Sequence, residues 1–188
     1  MHVPGLKVVM PSTPFDAKGL LLSAIDDEDP VIFIEHKALY ALKGHVPEQA
    51  YRIPLGVADI KQKGKDITVV ATSRMVQRAL EAASALEKEG ISIEVIDPRT
   101  LVPFDFDTIL ASVRKTGRAL VVSEECRTAS AAAEIAARIS EEGFDFLDAP
   151  VRRLCGIDAP IPYSVPLEQA SIPTVNDITR EVRNILEA

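Results

Sequence analysis

The chain has 188 residues, 47% of them apolar and 26% charged, an ordinary globular composition that allows a core burying roughly 70% of the unfolded surface. Its net charge of −7 speaks against nucleic acid as a partner and against adsorption to anionic membranes, since both need a basic face, while a basic protein partner stays compatible with it. Two cysteines, Cys126 and Cys155, are too few for a disulfide scaffold, no apolar run approaches the roughly 20 residues that span a bilayer, and Met1-His2-Val3-Pro4-Gly5 lacks the parts of a secretory signal, so an intracellular protein is expected.

Leu6 to Met10 reads as a short strand. Ser12 or Thr13 can cap the helix that follows, Pro14 suits its first position, and Ala17, Leu20, Leu21 and Ala24 recur at helical spacing. The helix stops at Asp26-Asp27-Glu28-Asp29-Pro30, and Val31 to Ile34 reads as a buried strand. Residues 35–54 carry no apolar period and read as a linker, with a boundary near Tyr51. Beyond it, strands are expected at Leu55–Ile60, Ile67–Ala71, Ile91–Ile96, Ala119–Val122 and Val151–Leu154. They alternate with helices at Arg74–Glu89, where Gly90 stands at the C-terminal cap, Asp105–Lys115 and Ser130–Glu141; a last helix, Asn176–Leu186, follows a Pro-rich stretch. The alternation predicts an α/β fold with a mainly parallel sheet and helices on both faces. The first 35 residues form a lone strand–helix–strand unit, too small to bury both sheet faces, and read as the tail of a larger domain.

Motifs for chemistry are sparse. No glycine-rich phosphate loop, GxSxG or HExxH occurs. His2, His36 and His45 lack a second ligand at metal spacing and read as solvated or structural. Cys126 follows Ser123-Glu124-Glu125 at the C-terminal end of a strand, where ligands bind open α/β sheets, but the two carboxylates disfavour a thiolate. Cys155 reads as a packing thiol. The acidic turn Asp26–Asp29 has oxygen ligands for a cation but not the spacing of an EF-hand, and reads as a solvated loop. Arg99-Thr100-Leu101-Val102-Pro103-Phe104-Asp105 reads as structural, ending one strand and capping the next helix through Asp105, although Arg99 could anchor an acidic group.

A set of stretches in order along the chain points to a family: Pro11-Ser12-Thr13-Pro14-Phe15-Asp16-Ala17-Lys18-Gly19-Leu20-Leu21, Asp29-Pro30-Val31-Ile32-Phe33-Ile34-Glu35-His36-Lys37, Asp97-Pro98-Arg99-Thr100-Leu101-Val102-Pro103, Phe146-Leu147-Asp148-Ala149-Pro150-Val151 and Pro160-Ile161-Pro162-Tyr163. Over essentially its whole length the chain resembles the E1 β subunits of thiamine-diphosphate-dependent 2-oxo acid dehydrogenases, those for pyruvate, branched-chain 2-oxo acids and acetoin. The resemblance implies that residues 1–50 are the end of a pyrimidine-binding domain with its linker, and that residues 51–188 are a transketolase C-terminal-type domain. It implies oxidative decarboxylation of a 2-oxo acid with acyl transfer to lipoyl-E2 in the whole enzyme, with thiamine diphosphate and Mg as cofactors.

The family's catalytic glutamate and His-Ser-Gln stretch are expected upstream of Met1, so no catalytic or cofactor-binding residue is carried over to this chain. A family potassium site, largely of main-chain carbonyls, maps onto Ala24, Asp27 and Asp29. Implied partners are an E1 α subunit, a second β subunit and the subunit-binding domain of E2; the implied location is the cytoplasm, or the mitochondrial matrix in a eukaryote. Thr128–Ala133 departs from the glycine-rich stretch common in relatives. Competing readings are another thiamine enzyme such as a transketolase, a stand-alone interaction module of the same fold, and a small thiol enzyme using Cys126.

Overall fold

The computed structural model describes residues 1–187. The first unit holds β1 (Lys7–Val9), α1 (Pro14–Asp26) and β2 (Val31–Phe33), followed by a 3-10 turn at Lys37–Ala41. Thr13 starts α1 by accepting a hydrogen bond from the Asp16 N–H, with Pro14 in the first turn. β1 and β2 run parallel, and Val9, Leu20 and Ile53 form a small core that Val31, Phe33 and Tyr51 complete.

The second unit contains β3 (Asp59–Gln62), β4 (Ile67–Ala71), α2 (Arg74–Glu87), β5 (Ile93–Asp97), β6 (Thr100–Val102), α3 (Phe106–Thr116), β7 (Ala119–Cys126), α4 (Ala131–Glu142), β8 (Arg152–Gly156), α5 (Val165–Ser171) and α6 (Val175–Leu186). Its sheet has the order β3-β5-β4-β7-β8, parallel throughout except for the antiparallel edge strand β3. On one face α2 and α6 bury Met75, Leu86, Ile178 and Val182 against Ile67, Val69 and Leu120. On the other, α3 and α4 bury Ile109, Val113, Ile135 and Ile139 against Val70, Ile96 and Val121. This is the expected mainly parallel α/β architecture with both faces covered.

Local chemistry sets the ends of the helices. Asp105 caps α3 by accepting from the Thr108 N–H, and Gly117 ends it in the left-handed region (φ 68°). Ser130 caps α4, and Thr174 with Asp177 makes a reciprocal capping box at α6.

Three sequence expectations are corrected. The strand expected at Leu55–Ile60 is instead Asp59–Gln62: Gly56 and Ala58 give their N–H groups to the Thr100 hydroxyl and the Asp105 carboxylate rather than to a ladder. Thr100–Val102, expected as a connection, is β6; it leaves its own unit to pair antiparallel with β1, making the first sheet three-stranded in the order β2-β1-β6. The Pro-rich stretch contains the short helix α5, with a proline in its first turn.

Candidate functional site

The two units meet along a seam whose centre is a buried ionic network. Asp16 on α1 and Asp97 at the end of β5 are both fully buried. Lys61 on β3 places Nζ 2.6 Å from Asp16 Oδ2, 2.7 Å from Asp59 Oδ2 and 3.8 Å from Asp97 Oδ2. Arg99 reaches Asp16 Oδ1 at 3.3 Å. The Ser12 hydroxyl donates to Asp97 Oδ2 at 2.5 Å, and Gln77 on α2 donates to the Ser12 carbonyl at 3.0 Å. Arg99 holds φ at 58°, with its N–H on Asp97 Oδ1. That turn swings β6 over to β1, and the Met10 N–H bonds the Arg99 carbonyl.

Burial raises the Asp97 carboxyl to about 6 against the pull of Ser12, Lys61 and the Arg99 N–H. Lys61 is raised: its ion pairs with Asp16 and Asp59 outweigh its desolvation, the largest single influence. Every charge in this network has an internal partner, so its chemistry is that of a clamp. Arg99 anchors an acid as the sequence allowed, and the acid belongs to the chain itself.

A second cluster lies at the C-terminal ends of β4 and β7, with α2 and α4 leaving for opposite faces of the sheet. His36 accepts the Ala38 N–H on Nδ1, so Nε2 carries the proton and donates to Glu124 Oε2 at 2.7 Å. Arg74 Nη1 lies 3.5 Å from the other oxygen of Glu124. His36 is thus structural, tying the segment after β2 to β7, while His2 and His45 are exposed. It also borders two cavities: one of about 290 Å³ walled by Pro11, Thr13, Pro14, Leu39 and Leu42, and one of about 110 Å³ reaching Thr72, Ser73, Ser123 and Ala131.

The remaining candidates stand apart from the seam. Cys126 is exposed, its Sγ 4.0 Å from the Ala159 carbonyl, with no hydrogen-bonded base among the described residues. Cys155 packs against the α3–α4 core, and burial raises its thiol pKa. At the end of α1, Lys7 Nζ sits 2.7 Å from Asp27 Oδ1 and 3.0 Å from Asp29 Oδ2, and the Asp29 N–H also donates to Asp27. Hydrogen bonding from Lys7 lowers the Asp27 carboxyl pKa. Ala24 lies in the last turn of α1. Sequence reasoning missed Asp16, Lys61, Asp97 and Glu124, whose partners lie tens of residues away.

The family description for the transketolase C-terminal domain matches residues 56–178, and that for the transketolase pyrimidine-binding domain matches residues 1–43. The chain belongs to the transketolase C-terminal domain family. It is 50% identical over 186 residues to the β subunit of acetoin:2,6-dichlorophenolindophenol oxidoreductase from Cupriavidus necator, covering 99% of this chain and 55% of that one. The pyruvate dehydrogenase E1 β subunit of Bacillus subtilis is 49% identical over 98% of this chain and 57% of its own length. The 2-oxoisovalerate dehydrogenase β subunit of the same organism is 47% identical, with the same shares covered. The chain therefore spans a little over half the length of these curated relatives. Among solved structures, a split-gene transketolase in an inactive β4 tetramer superposes with a TM-score of 0.84 at 26% identity, over 99% of this chain and 59% of that one. The family resemblance read from the motifs is thereby established.

Proposed function

We propose that this chain acts as E1 β-subunit sequence in a 2-oxo acid dehydrogenase, an oxidoreductase that decarboxylates a 2-oxo acid and passes the acyl group to lipoyl-E2. The observation that carries this reading is the run of E1 β relatives at 46–50% identity along nearly the whole chain. Within that enzyme we assign residues 1–50 to the pyrimidine-binding domain and its linker, and residues 51–188 to the C-terminal domain.

The enzyme's cofactor would be thiamine diphosphate with Mg, whose ylid supplies the carbanion chemistry. The residues described here do not fit that group. Among them no cluster of three His, Cys, Asp or Glu side chains could hold a metal, and the seam's cations are committed to carboxylates. No step of the reaction is assigned to these side chains; their part is assembly, with an E1 α subunit and a second β subunit as partners. Isothermal titration of the chain with thiamine diphosphate and Mg²⁺ is expected to show no binding, and micromolar binding would overturn the assignment.

Potassium fits better. The last carbonyls of a helix lack intrahelical partners and carry negative dipole charge, and α1 has neither a basic residue in its last turn nor a backbone bond at its C-cap. The carbonyls of Ala24 and Asp27, with Asp29 beside them, would hold the ion, while Lys7 neutralises the two carboxylates. A thallium-soaked crystal without an anomalous peak at Asp27 would remove this site.

For E2 docking we favour the face after α4. Phe144 is 75% exposed beside Leu147, Pro150 and Val151, and Asp145 and Asp148 edge the groove. An apolar anchor flanked by two acids, of which Asp148 also pairs with Arg118, suits a basic subunit-binding domain, which charge would also steer. No described helix is long and apolar enough to cross a membrane.

A further inference from the structure

We propose that the groove between the 3-10 turn Lys37–Ala41 and the outer face of α2 docks an acidic segment of a protein partner, with an apolar side chain of that segment set against the turn. The groove has a volume of about 490 Å³. One wall is apolar, made by Ala38, Leu39, Ala41 and Leu42, none of them buried. The other is a stripe of α2 at helical spacing, Arg74, Gln77, Arg78 and Glu81.

Two arginines four residues apart on one helix repel each other. Burial, and after it the charge of Arg74, lower the pKa of Arg78. Each guanidinium carries five N–H donors in a planar fork, and few of them are used. Among the described residues Arg74 makes one ion pair, 3.5 Å long, to a Glu124 that His36 also holds. Arg78 donates to the Pro173 carbonyl and pairs with no described carboxylate. Glu81 and Glu168 act on Arg78 only at longer range. Lys37 and Lys43, both exposed, flank the apolar wall. A chain of net charge −7 thus gathers Arg74, Arg78, Lys37 and Lys43 around one groove, against Glu81, Glu168 and the shared Glu124. Open guanidinium forks facing apolar surface suit carboxylates carried on a chain with an apolar residue between them. A bare inorganic anion would leave the apolar wall unused, whereas an acidic peptide engages both walls.

Amide chemical shifts of the full chain, titrated with the capped peptide Glu-Glu-Leu-Glu-Glu, with its charge-reversed counterpart Lys-Lys-Leu-Lys-Lys and with inorganic phosphate, test the groove. Saturable shifts at about millimolar acidic peptide are expected, confined to residues 37–43, 74–81 and 175, with none from the basic peptide. Replacing both arginines, Arg74→Gln with Arg78→Gln, is expected to weaken binding about tenfold or more, as losing charge-assisted hydrogen bonds does. Ala41→Asp tests the groove without removing a contact: Ala41 is exposed, and a carboxylate there faces the arginines and should weaken the acidic peptide about as much. No saturable shift with the acidic peptide, equal affinity for the basic one, or undiminished affinity in Ala41→Asp would overturn the proposal. Phosphate that saturates the same residues as tightly as the acidic peptide would overturn it too, leaving an anion site in place of a docking groove.

Discussion

Lys61 Nζ lies 2.6 Å from Asp16 Oδ2, a buried pair that joins an edge strand of the large sheet to the helix of the small unit. Asp16 is fully buried and the Lys61 side chain is 11% exposed, so removing only the lysine leaves Asp16 with Arg99 as its one remaining cation and takes the ammonium away from Asp97. Lys61→Met is expected to destabilise the fold by about 3 kcal/mol or more, and the double variant Lys61→Met with Asp16→Leu by much less. Urea denaturation of the two single variants and the double variant gives the coupling directly; additive losses would show that the pair does not couple the units.

Asp97 makes stability depend on pH. Its folded-state pKa, about 6, lies above the ordinary value of 3.8 because of burial. A carboxyl raised on folding stabilises the fold below the unfolded value, and that contribution is lost as pH rises through the folded one. Between roughly pH 4 and pH 6 Asp97 should therefore withdraw about 1.4 kcal/mol for each pH unit crossed. Below that window the opposite sign takes over, since Asp105 and Asp177, lowered by hydrogen bonds that outweigh their burial, lose their stabilisation on protonation. The chain should unfold at a lower temperature at pH 7 than at pH 5, and Asp97→Asn should flatten that difference. An unchanged slope in the variant would place the titration elsewhere.

Ser73 carries φ 51° and ψ −125° at the turn from β4 into α2. A non-glycine residue in this region stores about 1–3 kcal/mol of strain, whereas glycine adopts it freely and loses about 0.5–1 kcal/mol of chain entropy on ordering. Ser73→Gly is expected to stabilise by about 1 kcal/mol and Ser73→Ala not at all, as read by thermal unfolding. A destabilised glycine variant would mean that the turn is held by contacts of the serine side chain.

Much of the fold was legible because local signals agreed with it. Thr13, Asp105 and Ser130 announce helix starts by chemistry that needs no distant partner, and the β-branched stretches at Ile67–Ala71 and Ile91–Ile96, alternating with helices, read as strands of a parallel sheet, found at Ile67–Ala71 and Ile93–Asp97. β6 was hidden: three residues show no alternation, and its partner Val9 lies 91 positions from Thr100. β3 was misplaced because Leu55 and Val57 supply apolar residues to a segment whose amides bond side chains instead. The clamp was illegible for the same reason, since Asp16, Lys61 and Asp97 become neighbours only through the sheet order. The His36–Glu124 contact spans 88 positions, and in the sequence each looks like an ordinary polar residue in a loop or at a strand end.

If this chain carries assembly contacts of an E1 β subunit, calorimetric titration with the subunit-binding domain of E2 reveals them most directly. Saturable binding is predicted, weakened as salt screens Asp145 and Asp148 and lowered at least tenfold by Phe144→Ala, which is about 1.4 kcal/mol or more. No saturable heat with the E2 domain, from a preparation that unfolds cooperatively on heating, would contradict the assembly role.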